Sequence, residues 1–444
     1  MKLAVVGTGY VGLVAGTCFA EYGNRVYCVD IDEKKIENLK KGILPIYEPG
    51  LEEMVLRNHK NERLLFTTDL KFAVENSDIV FVAVGTPGLP DGRPDISGVL
   101  AVARAVGEHA NADKVVVNKS TVPVGMADQV QDAASEKAKF TIDVVSNPEF
   151  LREGHAIEDF MKPERVVIGA DSEAAARMMQ ELYAPFIRES NNPLYVMSVK
   201  SAELTKYACN CFLAMKISFA NTMANLCDSM GANYLDIKKG LGSDSRIGNK
   251  FLNAGIGYGG SCFPKDVRAL ISLADERDIE VGILREVENL NNKQKSRIIN
   301  VMTAHYELTP DSPEWKDKKI AIWGLAFKPG TDDMREAPSI TIIKELHRRG
   351  AKLFAHDPVA EEESRHHFGD LVTYGDQYDI LKDADALLLL TEWSDYREPD
   401  FPRMKSLLKD PLIFDGRNIY PISHLQKQGF DCYGIGVRPE TARV

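Results

Sequence analysis

The sequence predicts an α/β protein in which two doubly wound domains are joined by a long central helix and a helical middle domain. Three observations predict this fold class: short apolar runs alternate with helical patterns at the start, a long helical pattern then interrupts them, and the alternation resumes afterwards. The chain has 444 residues, too many for one ordinary core. Its 44% hydrophobic and 27% charged residues are typical of soluble globular proteins.

Short apolar runs in the first segment predict the buried strands of a parallel sheet. Turn residues and amphipathic stretches separate these runs, which is the rhythm of a doubly wound domain. We therefore predict an N-terminal domain over residues 1–197. Its predicted strands are Leu3–Val6, Arg25–Val29, Ile79–Val84, Val115–Asn118 and Asp143–Val145.

The middle of the chain is predicted to be helical, over residues 198–308. A pattern without Pro or Gly runs from 201 to 230 and stops at Gly231, which predicts one helix of about eight turns. A second helix is predicted over Val281–Ala304. The polar, Pro-containing stretch Thr309–Lys318 then predicts a linker.

The last segment, residues 316–444, repeats the pattern of the first. Lys319–Gly324 echoes Lys2–Gly7, and in both copies a helix ends at a glycine before a strand that closes on an acid, Asp30 or Asp357. A shared supersecondary pattern of this kind predicts two Rossmann-like domains, one on each side of the helical middle.

Charge and cysteine usage exclude several classes of function. The formal net charge is −11, which argues against a nucleic-acid or anionic-membrane partner. The seven cysteines follow no regular framework, so they predict reduced thiols and no disulfides or zinc site; no metal is expected. No apolar run approaches a membrane span, and the start of the chain predicts a strand instead of a signal peptide. These features predict a cytoplasmic protein.

A glycine motif after the first strand predicts a dinucleotide site. Gly7, Gly9 and Gly12 form a G-x-G-x-x-G pattern between a strand and a helix, and Asp30 follows 18 residues after Gly12. An acid at this position accepts hydrogen bonds from a ribose and repels a 2′-phosphate, so it favours NAD over NADP. The alternative is a glycine turn that serves packing alone. The second α/β domain lacks the motif and is expected to bind another phosphate-bearing ligand.

A cysteine in the glycine-rich stretch Gly257–Asp266 is predicted to be a nucleophile. Cys262 lies near the start of a helix with Lys265 close by, and both features favour a thiolate. Lys206 and Asn210 are four residues apart on the long helix and share a face. The alternatives are a small buried cysteine and a lysine whose stem reaches solvent.

Two loops follow predicted strands at the edge where open α/β sheets hold their catalytic residues. One is Asn147–Gly154, which carries two acids, and the other is Ser120–Pro123. The acids could equally be solvated loop charges, and the second loop could be a plain helix entry.

Together these motifs resemble those of the UDP-glucose/GDP-mannose dehydrogenase family over nearly the whole length, from Gly7–Gly12 to Asp415–Arg417. The other motifs that carry the resemblance are Val84–Pro87, Ser120–Pro123, Asn147–Glu153, Lys206–Tyr207 with Asn210, Gly257–Asp266, and Phe327–Asp333 with Arg335.

The resemblance implies roles for individual residues. Cys262 resembles the nucleophile; Lys206, Asn210 and Asp266 resemble the groups that assist at the reacting carbon; Thr121 and Glu149 resemble those that position water, with Glu149 as a base. The residues that resemble NAD contacts are Gly7, Gly9, Tyr10, Val11, Gly12, Asp30, Lys35, Thr86, Thr121, Glu153, Lys265 and Arg335. The residues that resemble substrate contacts are Glu149, Phe150, Leu151, Arg152, Lys206, Asn210, Phe251, Leu252, Asn253, Ala254, Gly255, Gly259 and Lys328.

The resemblance also implies a homodimer built on the long helix, with Arg246 reaching a neighbouring subunit's substrate. The implied reaction is the NAD-dependent, four-electron oxidation of a sugar nucleotide's primary alcohol to a carboxylate, through a thiohemiacetal and a thioester on Cys262. Tyr258 and Phe263 favour UDP-glucose, and GDP-mannose and UDP-N-acetylmannosamine remain alternatives. A one-step β-hydroxyacid dehydrogenase would not need Cys262. A non-catalytic NAD-binding scaffold would need none of the four residues Lys206, Asn210, Cys262 and Asp266.

Overall fold

The computed structural model describes residues 1–437 and contains two sheets of mainly parallel strands, each flanked by helices. Residues 438–444 of the predicted C-terminal domain lie outside the described residues. The strands of the first sheet are β1 Lys2–Val6, β2 Arg25–Val29, β3 Leu64–Thr67, β4 Ile79–Val82, β5 Lys114–Asn118, β6 Ile142–Ser146, β7 Val166–Gly169 and β8 Leu194–Met197. The helices that accompany them are α1 Tyr10–Glu21, α2 Glu33–Lys40, α3 Leu51–Lys60, α4 Leu70–Glu75, α5 Ser97–His109, α6 Met126–Ser135, α7 Ala156–Met161 and α8 Glu173–Ser190.

The first sheet has the strand order β3-β2-β1-β4-β5-β6-β7-β8. Its strands pair in parallel, except that β6 and β7 meet antiparallel at Ser146 and Gly169. The order reverses between β1 and β4, and the carboxyl ends of strands at such a point form the crevice where α/β proteins bind ligands. The predicted doubly wound class is confirmed. The fourth strand ends at Val82, two residues before the predicted end, and β3, β7 and β8 were not identified from the sequence.

Aromatic rings fill the core on one face of this sheet. The Phe19 ring centroid lies 4.9 Å from that of Phe81 and 5.0 Å from that of Phe160, which it meets edge-on. Tyr183 and Phe186 on α8 complete the cluster. Their burial fixes α1, α7 and α8 against the strands, and it thereby fixes the loops that leave the carboxyl ends of those strands.

The second sheet repeats the topology of the first. Its order is β11-β10-β9-β12-β13-β14, and β9 pairs in parallel with β10 and β12 as β1 pairs with β2 and β4. The repeat predicted from the sequence is therefore present in the structure. The strands are β9 Lys319–Trp323, β10 Lys352–His356, β11 Thr373–Tyr374, β12 Ala386–Leu389, β13 Leu412–Asp415 and β14 Asp431–Tyr433. The helices around this sheet are α14 Pro338–Arg349, α15 Glu361–Phe368, α16 Phe401–Leu407 and α17 Ile422–Gln428.

The helical middle consists of α9 Val199–Met230, α10 Tyr234–Ser243, α11 Phe263–Asp275, α12 Gly282–Gln294 and α13 Arg297–His305. The helix α9 has 32 residues and a length of about 48 Å. The single helix predicted over Val281–Ala304 is wrong: α12 and α13 are separate. The break occurs because the N–H of Ser296 donates to the carbonyl of Lys293, an i→i−3 bond that tightens the last turn. The predicted linker contains a 3₁₀ helix, Pro313–Asp317, with Trp315 fully buried.

The chain divides into two compact units. One unit comprises Met1–Cys209 and Arg268–Glu280, and the other comprises Asn210–Val267 and the residues from Val281 onward. The divisions fall within α9, within α11 and just before α12. Among residues 1–437, no helix has both the length and the apolar character needed to cross a membrane.

Candidate active site

The loop after β1 is shaped by close backbone approaches. Gly7 has a φ of +100°, and a Cβ there would lie 2.6 Å from the carbonyl oxygen of Ala83. A Cβ on Gly12 would lie 1.9 Å from the carbonyl oxygen of Gly7. Any other residue at either position would push α1 away from the strands, so both glycines are required for this packing.

The start of α1 fits the pyrophosphate of a dinucleotide. Gly9 caps the helix without a side-chain hydrogen bond, and the first turn contains no acid. A Cβ on Gly9 would meet no atom within 4 Å, so the space in front of the helix is open. The N–H groups of Tyr10, Val11 and Gly12 belong to the turn that has no intrahelical acceptor, and the helix dipole favours an anion there.

Asp30 is anchored to this loop at the end of β2. Its Oδ2 accepts hydrogen bonds from the Thr8 N–H at 2.9 Å and the Thr8 hydroxyl at 2.7 Å. The ammonium of Lys35 lies 3.0 Å away. Burial raises the pKa of Asp30, but the Thr8, Asp32 and Lys35 hydrogen bonds outweigh it and lower the pKa to about 2. Asp30 is thus a fixed anion beside the loop, and Lys35 pairs with it.

Glu48 also holds the dinucleotide loop in place, and sequence reasoning missed it. Its buried carboxylate accepts the Tyr10 hydroxyl and the N–H groups of Gly154 at 2.6 Å and Ala156 at 2.8 Å. It thereby ties the first turn of α1 to the loop that carries Glu153, which is itself buried. The available signal was an acid placed just before the Pro49–Gly50 turn.

Glu149 and Lys206 form a buried ion pair. The Lys206 Nζ lies 2.6 Å from Glu149 Oε1 and 2.7 Å from its carbonyl oxygen, and the two side chains are 5% and 6% exposed. The Leu151 N–H donates to Glu149 Oε2 at 2.6 Å. Burial raises the pKa of Glu149, but Lys206, Leu151 and Lys119 together hold it below its ordinary value. The carboxylate is therefore ionised and can accept hydrogen bonds from water.

Asp266 and Asn210 form a second buried pair. The Asn210 Nδ2 donates to Asp266 Oδ2 at 2.6 Å, and Asp266 is almost fully buried. The Asp266 N–H donates to the Cys262 carbonyl at 2.8 Å, so Cys262 immediately precedes the first turn of α11. Its thiol is partly exposed and lies 3.5 Å from the Ser261 hydroxyl. The Lys265 ammonium is 4.0 Å from Asp266 Oδ1. Cys262 thus has the position directly before a helix that favours a nucleophilic thiol.

Polar side chains from distant positions hold the glycine-rich loop at Gly255 and Gly257. Asn221 accepts the Gly255 N–H at 2.8 Å, and Gln294 donates to the Gly255 carbonyl at 2.7 Å. Arg417 donates to the carbonyls of Gly257 at 3.1 Å and Phe327 at 3.0 Å. Arg417 therefore fixes the glycine-rich loop, a role that was not predicted. The available signal was its place two residues after the end of β13.

The remaining predicted residues lie in varied settings. The Thr86 hydroxyl donates to the Thr121 carbonyl at 3.0 Å, and the Arg165 guanidinium lies 4.1 Å from the centre of the Phe150 ring. Arg152 pairs with Asp159, Asn253 accepts from Lys238, and the Tyr234 hydroxyl donates to the Leu252 carbonyl.

Lys328 lies over the Phe327 ring, Gly259 packs on the Glu336 backbone, and Ala254 is buried. Arg335 pairs with Asp333 on the surface. Arg246 pairs with Asp244, and its side chain is 87% exposed.

Comparison with known families covers most of the chain. Residues 1–187 match the NAD binding domain of the UDP-glucose/GDP-mannose dehydrogenase family, residues 200–293 its central domain, and residues 321–422 its UDP binding domain. The three matches occur in the order in which the domains follow one another here.

Two curated relatives are similar over nearly their full length. A UDP-glucose 6-dehydrogenase of Bacillus subtilis is 47% identical over 438 residues, which cover 98% of this chain and 93% of the relative. A UDP-glucose 6-dehydrogenase of Rhizobium meliloti is 47% identical over 444 residues, which cover 99% and 100%.

Two solved structures share the fold. A UDP-glucose dehydrogenase from Pyrobaculum islandicum superposes with a TM-score of 0.87 at 38% identity and covers 94% of each chain. A UDP-D-ManNAc dehydrogenase from Pyrococcus horikoshii superposes with a TM-score of 0.83 at 25% identity, covering 98% and 99%. The glycine loop, the anchored Asp30 and these matches agree: the chain belongs to the UDP-glucose/GDP-mannose dehydrogenase family and is an NAD-dependent oxidoreductase.

Proposed function

We propose that the protein oxidises the C6 alcohol of UDP-glucose to the carboxylate of UDP-glucuronate and reduces two NAD per substrate. The observation that carries the proposal is Cys262, a thiol placed directly before α11 and one turn from Asp266. A dehydrogenase that stopped at the aldehyde would need no thiol, whereas a second oxidation is eased by a thiol that captures the aldehyde covalently. The relatives that are 47% identical are named for UDP-glucose.

The functional division that we propose follows the sequence. Residues 1–197 bind NAD, residues 198–308 carry the catalytic cysteine and the dimer contact, and residues 316–444 bind the UDP-sugar. Each NAD supplies a hydride acceptor for the substrate's C6. The N-terminus of α1 holds the pyrophosphate, and Asp30 accepts hydrogen bonds from the adenosine ribose.

In the first oxidation the protein must remove a proton and stabilise negative charge on the C6 oxygen. We assign the stabilisation to Lys206 and Asn210, because donors held in fixed positions favour a developing oxyanion without reorganising. The two residues lie one turn apart on α9. The alcohol proton passes to a water bound to Asp266, whose carboxylate is held by Asn210.

In the second oxidation the Cys262 sulfur adds to the aldehyde carbon, and the carbonyl oxygen takes up a proton. The resulting thiohemiacetal loses that proton and a hydride to become a thioester. Water then attacks the thioester carbon, the C–S bond breaks, and the thiol and the carboxylate are released. Glu149 and Thr121 orient this water, and the ionised Glu149 accepts its proton.

A panel of sugar nucleotides tests the proposal. With NAD and purified protein, UDP-glucose should give the highest kcat/KM for NADH formation, with two NADH per substrate consumed. GDP-mannose and UDP-N-acetylmannosamine, the second candidates, should react more slowly. Higher turnover of either would replace UDP-glucose as the substrate, and NAD binding without any turnover would support the scaffold alternative.

The cofactor preference should depend on Asp30. In Asp30→Ala, kcat/KM with NAD should fall by about tenfold to a hundredfold, because hydrogen bonds to a charged acceptor are worth about 1.5–3 kcal/mol. The ratio of kcat/KM with NAD to kcat/KM with NADP should fall, because the repulsion between Asp30 and the 2′-phosphate of NADP is also lost. Steady-state kinetics with both cofactors measure this. Asp32→Ala, which removes the neighbouring cap of α2, is the control and should leave the ratio unchanged. An unchanged ratio in Asp30→Ala would refute the assignment.

We also propose a homodimer on α9. Phe212, Phe219 and Leu226 follow one another at intervals of seven residues and are 58%, 49% and 46% exposed, so they form one apolar face on the helix. Arg246 is 87% exposed and pairs with Asp244, and we propose that it exchanges this partner for the substrate of a neighbouring subunit. The proposed location is the cytoplasm, since all seven cysteines are free thiols.

The dimer should weaken when this face becomes polar. In Phe219→Ser, sedimentation velocity should show a larger monomer fraction at micromolar concentration. Circular dichroism should remain unchanged, because the side chain is half exposed. Phe140→Ser changes an exposed phenylalanine in the loop before β6 and should leave association intact. An unaltered dimer in Phe219→Ser would exclude this face as the interface.

A further inference from the structure

A third charged side chain, Lys119, lies buried near the Glu149–Lys206 pair, and the mechanism above gives it no role. It is 4% exposed. Its Nζ lies 3.0 Å from the Asn147 side-chain oxygen and 3.4 Å from the Asn147 carbonyl. The ammonium therefore contacts the beginning of the turn that carries Glu149.

The backbone around Lys119 explains why it reaches this turn. β5 and β6 are paired neighbours, with Asn118 opposite Ser146, and the chain leaves both strands at the same edge of the sheet. Lys119 and Asn147 are the residues that follow these strand ends. The Asn147 N–H donates to the Asn118 carbonyl at 2.9 Å, which holds the two strand ends together.

The Asn147 side chain links this point to β7 and α8. Its Nδ2 donates to the Val167 carbonyl at 2.8 Å, and its oxygen accepts the Tyr183 hydroxyl at 2.6 Å in addition to Lys119. Both polar atoms of the Asn147 side chain thus have hydrogen-bond partners outside their own loop. Lys119 therefore holds the turn in place through the Asn147 side chain, which Val167 and Tyr183 also hold.

The charge of Lys119 acts on the same turn. Burial lowers the pKa of Lys119 to about 8; the Glu149 carboxylate raises it and the Lys206 ammonium lowers it. Conversely, Lys119 is one of the groups that lower the pKa of Glu149. Lys119 also faces the Phe160 and Tyr183 rings at 5.7 and 6.0 Å and donates to the Tyr183 hydroxyl at 3.4 Å. The Tyr183 phenol stays neutral because burial raises its pKa. Burying an ammonium lowers the stability of the fold, and an apolar side chain of similar size would lower it less.

We propose that Lys119 is a positioning residue for thioester hydrolysis: it fixes the Asn147–Glu149 turn and keeps the Glu149 carboxylate ionised. This inference rests on the proposed function of Glu149. Lys119 contacts neither the substrate nor the cofactor and acts through Glu149.

The test is the pH profile of kcat in Lys119→Met, which keeps the length of the side chain and removes its charge. kcat should fall on the order of 100-fold, because the turn is no longer held in place. The KM for UDP-glucose should change much less. The acidic limb of the profile should move to higher pH, since a positive charge that favours the carboxylate is gone. Lys119→Arg should return the limb toward wild type. Loss of structure alone would lower the melting temperature without moving the limb.

Two further variants separate charge from packing. Lys114→Met removes a buried lysine at the start of β5, which donates to the Ser77 carbonyl at 2.6 Å, and should keep the wild-type profile. Tyr183→Phe removes the hydroxyl that donates to Asn147 and accepts from Lys119, but it removes no charge, so kcat should fall while the acidic limb stays in place. A limb that moves equally in Lys114→Met or Tyr183→Phe would overturn the inference.

Glu149→Gln distinguishes a failure of the inference about Lys119 from a failure of the proposed role of Glu149. If Glu149→Gln loses activity and its acidic limb but Lys119→Met has the wild-type profile, the inference about Lys119 fails and the role of Glu149 stands. If Glu149→Gln keeps the wild-type rate and profile, the proposed role of Glu149 fails and the inference fails with it.

Discussion

Replacing Cys262 by alanine should abolish the second oxidation. Without the thiol no thiohemiacetal can form, so Cys262→Ala should perform at most the first hydride transfer and leave the aldehyde bound as its hydrate. Wild-type protein should form two NADH per substrate and accumulate no free aldehyde. NADH stoichiometry at a known amount of UDP-glucose measures the difference. Carboxylate formation by Cys262→Ala at near the wild-type rate, with two NADH, would show that the thioester mechanism is wrong.

A serine at the same position keeps the shape but is a poorer nucleophile and a poorer leaving group. Cys262→Ser should therefore bind NAD and substrate, lose net turnover, and trap a slowly hydrolysed ester that intact-mass measurement can detect. Cys18→Ala and Cys227→Ala are the matched controls. Both thiols are buried, and burial raises the pKa of each, so neither is a nucleophile. Each change should cost about 1 kcal/mol of stability and leave the stoichiometry at two.

Replacing Lys206 by methionine should damage both catalysis and stability. The loss of one donor to the C6 oxygen should lower kcat by about 10²- to 10³-fold. Glu149 would remain buried without its partner, and breaking a buried pair on one side costs roughly 3–5 kcal/mol. Denaturant unfolding and steady-state kinetics measure the two effects. Lys200 lies on the same helix as Lys206, is exposed and pairs with Asp128. Lys200→Met should therefore change kcat and stability very little.

The stability loss in Lys206→Met should depend on pH in a defined direction. In wild type the pKa of Glu149 is held below its ordinary value of 4.5, so the stabilisation is present above that pH and is lost as pH falls through the lower, folded-state pKa. In Lys206→Met, burial acts on Glu149 without the main opposing charge, so the carboxyl is protonated at a higher pH. The deficit relative to wild type should therefore be largest near neutral pH and should narrow on acidification. A deficit that is constant with pH would mean that Glu149 is not the group left unpaired.

Much of the site could be predicted because its signals are local. The Gly7–Gly12 loop, Asp30 after the second strand, and Cys262 before a helix each depend on a few neighbouring residues. The missed strand Leu64–Thr67 has four residues that alternate between buried and half-buried, whereas Ile79–Val82, of the same length, is a continuous run of apolar, fully buried residues that stands out in the sequence. The break between α12 and α13 was missed because ordinary helix-forming residues occupy it.

The sequence by itself determined the α/β class, the repeat of the two sheets, the glycine loop and the place of the cysteine that we propose as the nucleophile, because backbone conformation and hydrophobic period are set within short stretches of chain. Only the tertiary structure decided which partner each buried charged side chain contacts. Glu149 and Lys206 are 57 residues apart, Glu48 and Gly154 are 106 apart, and Arg417 and Gly257 are 160 apart. Burial and partner choice set the charge state of such groups, and both depend on elements that the fold brings together from distant positions.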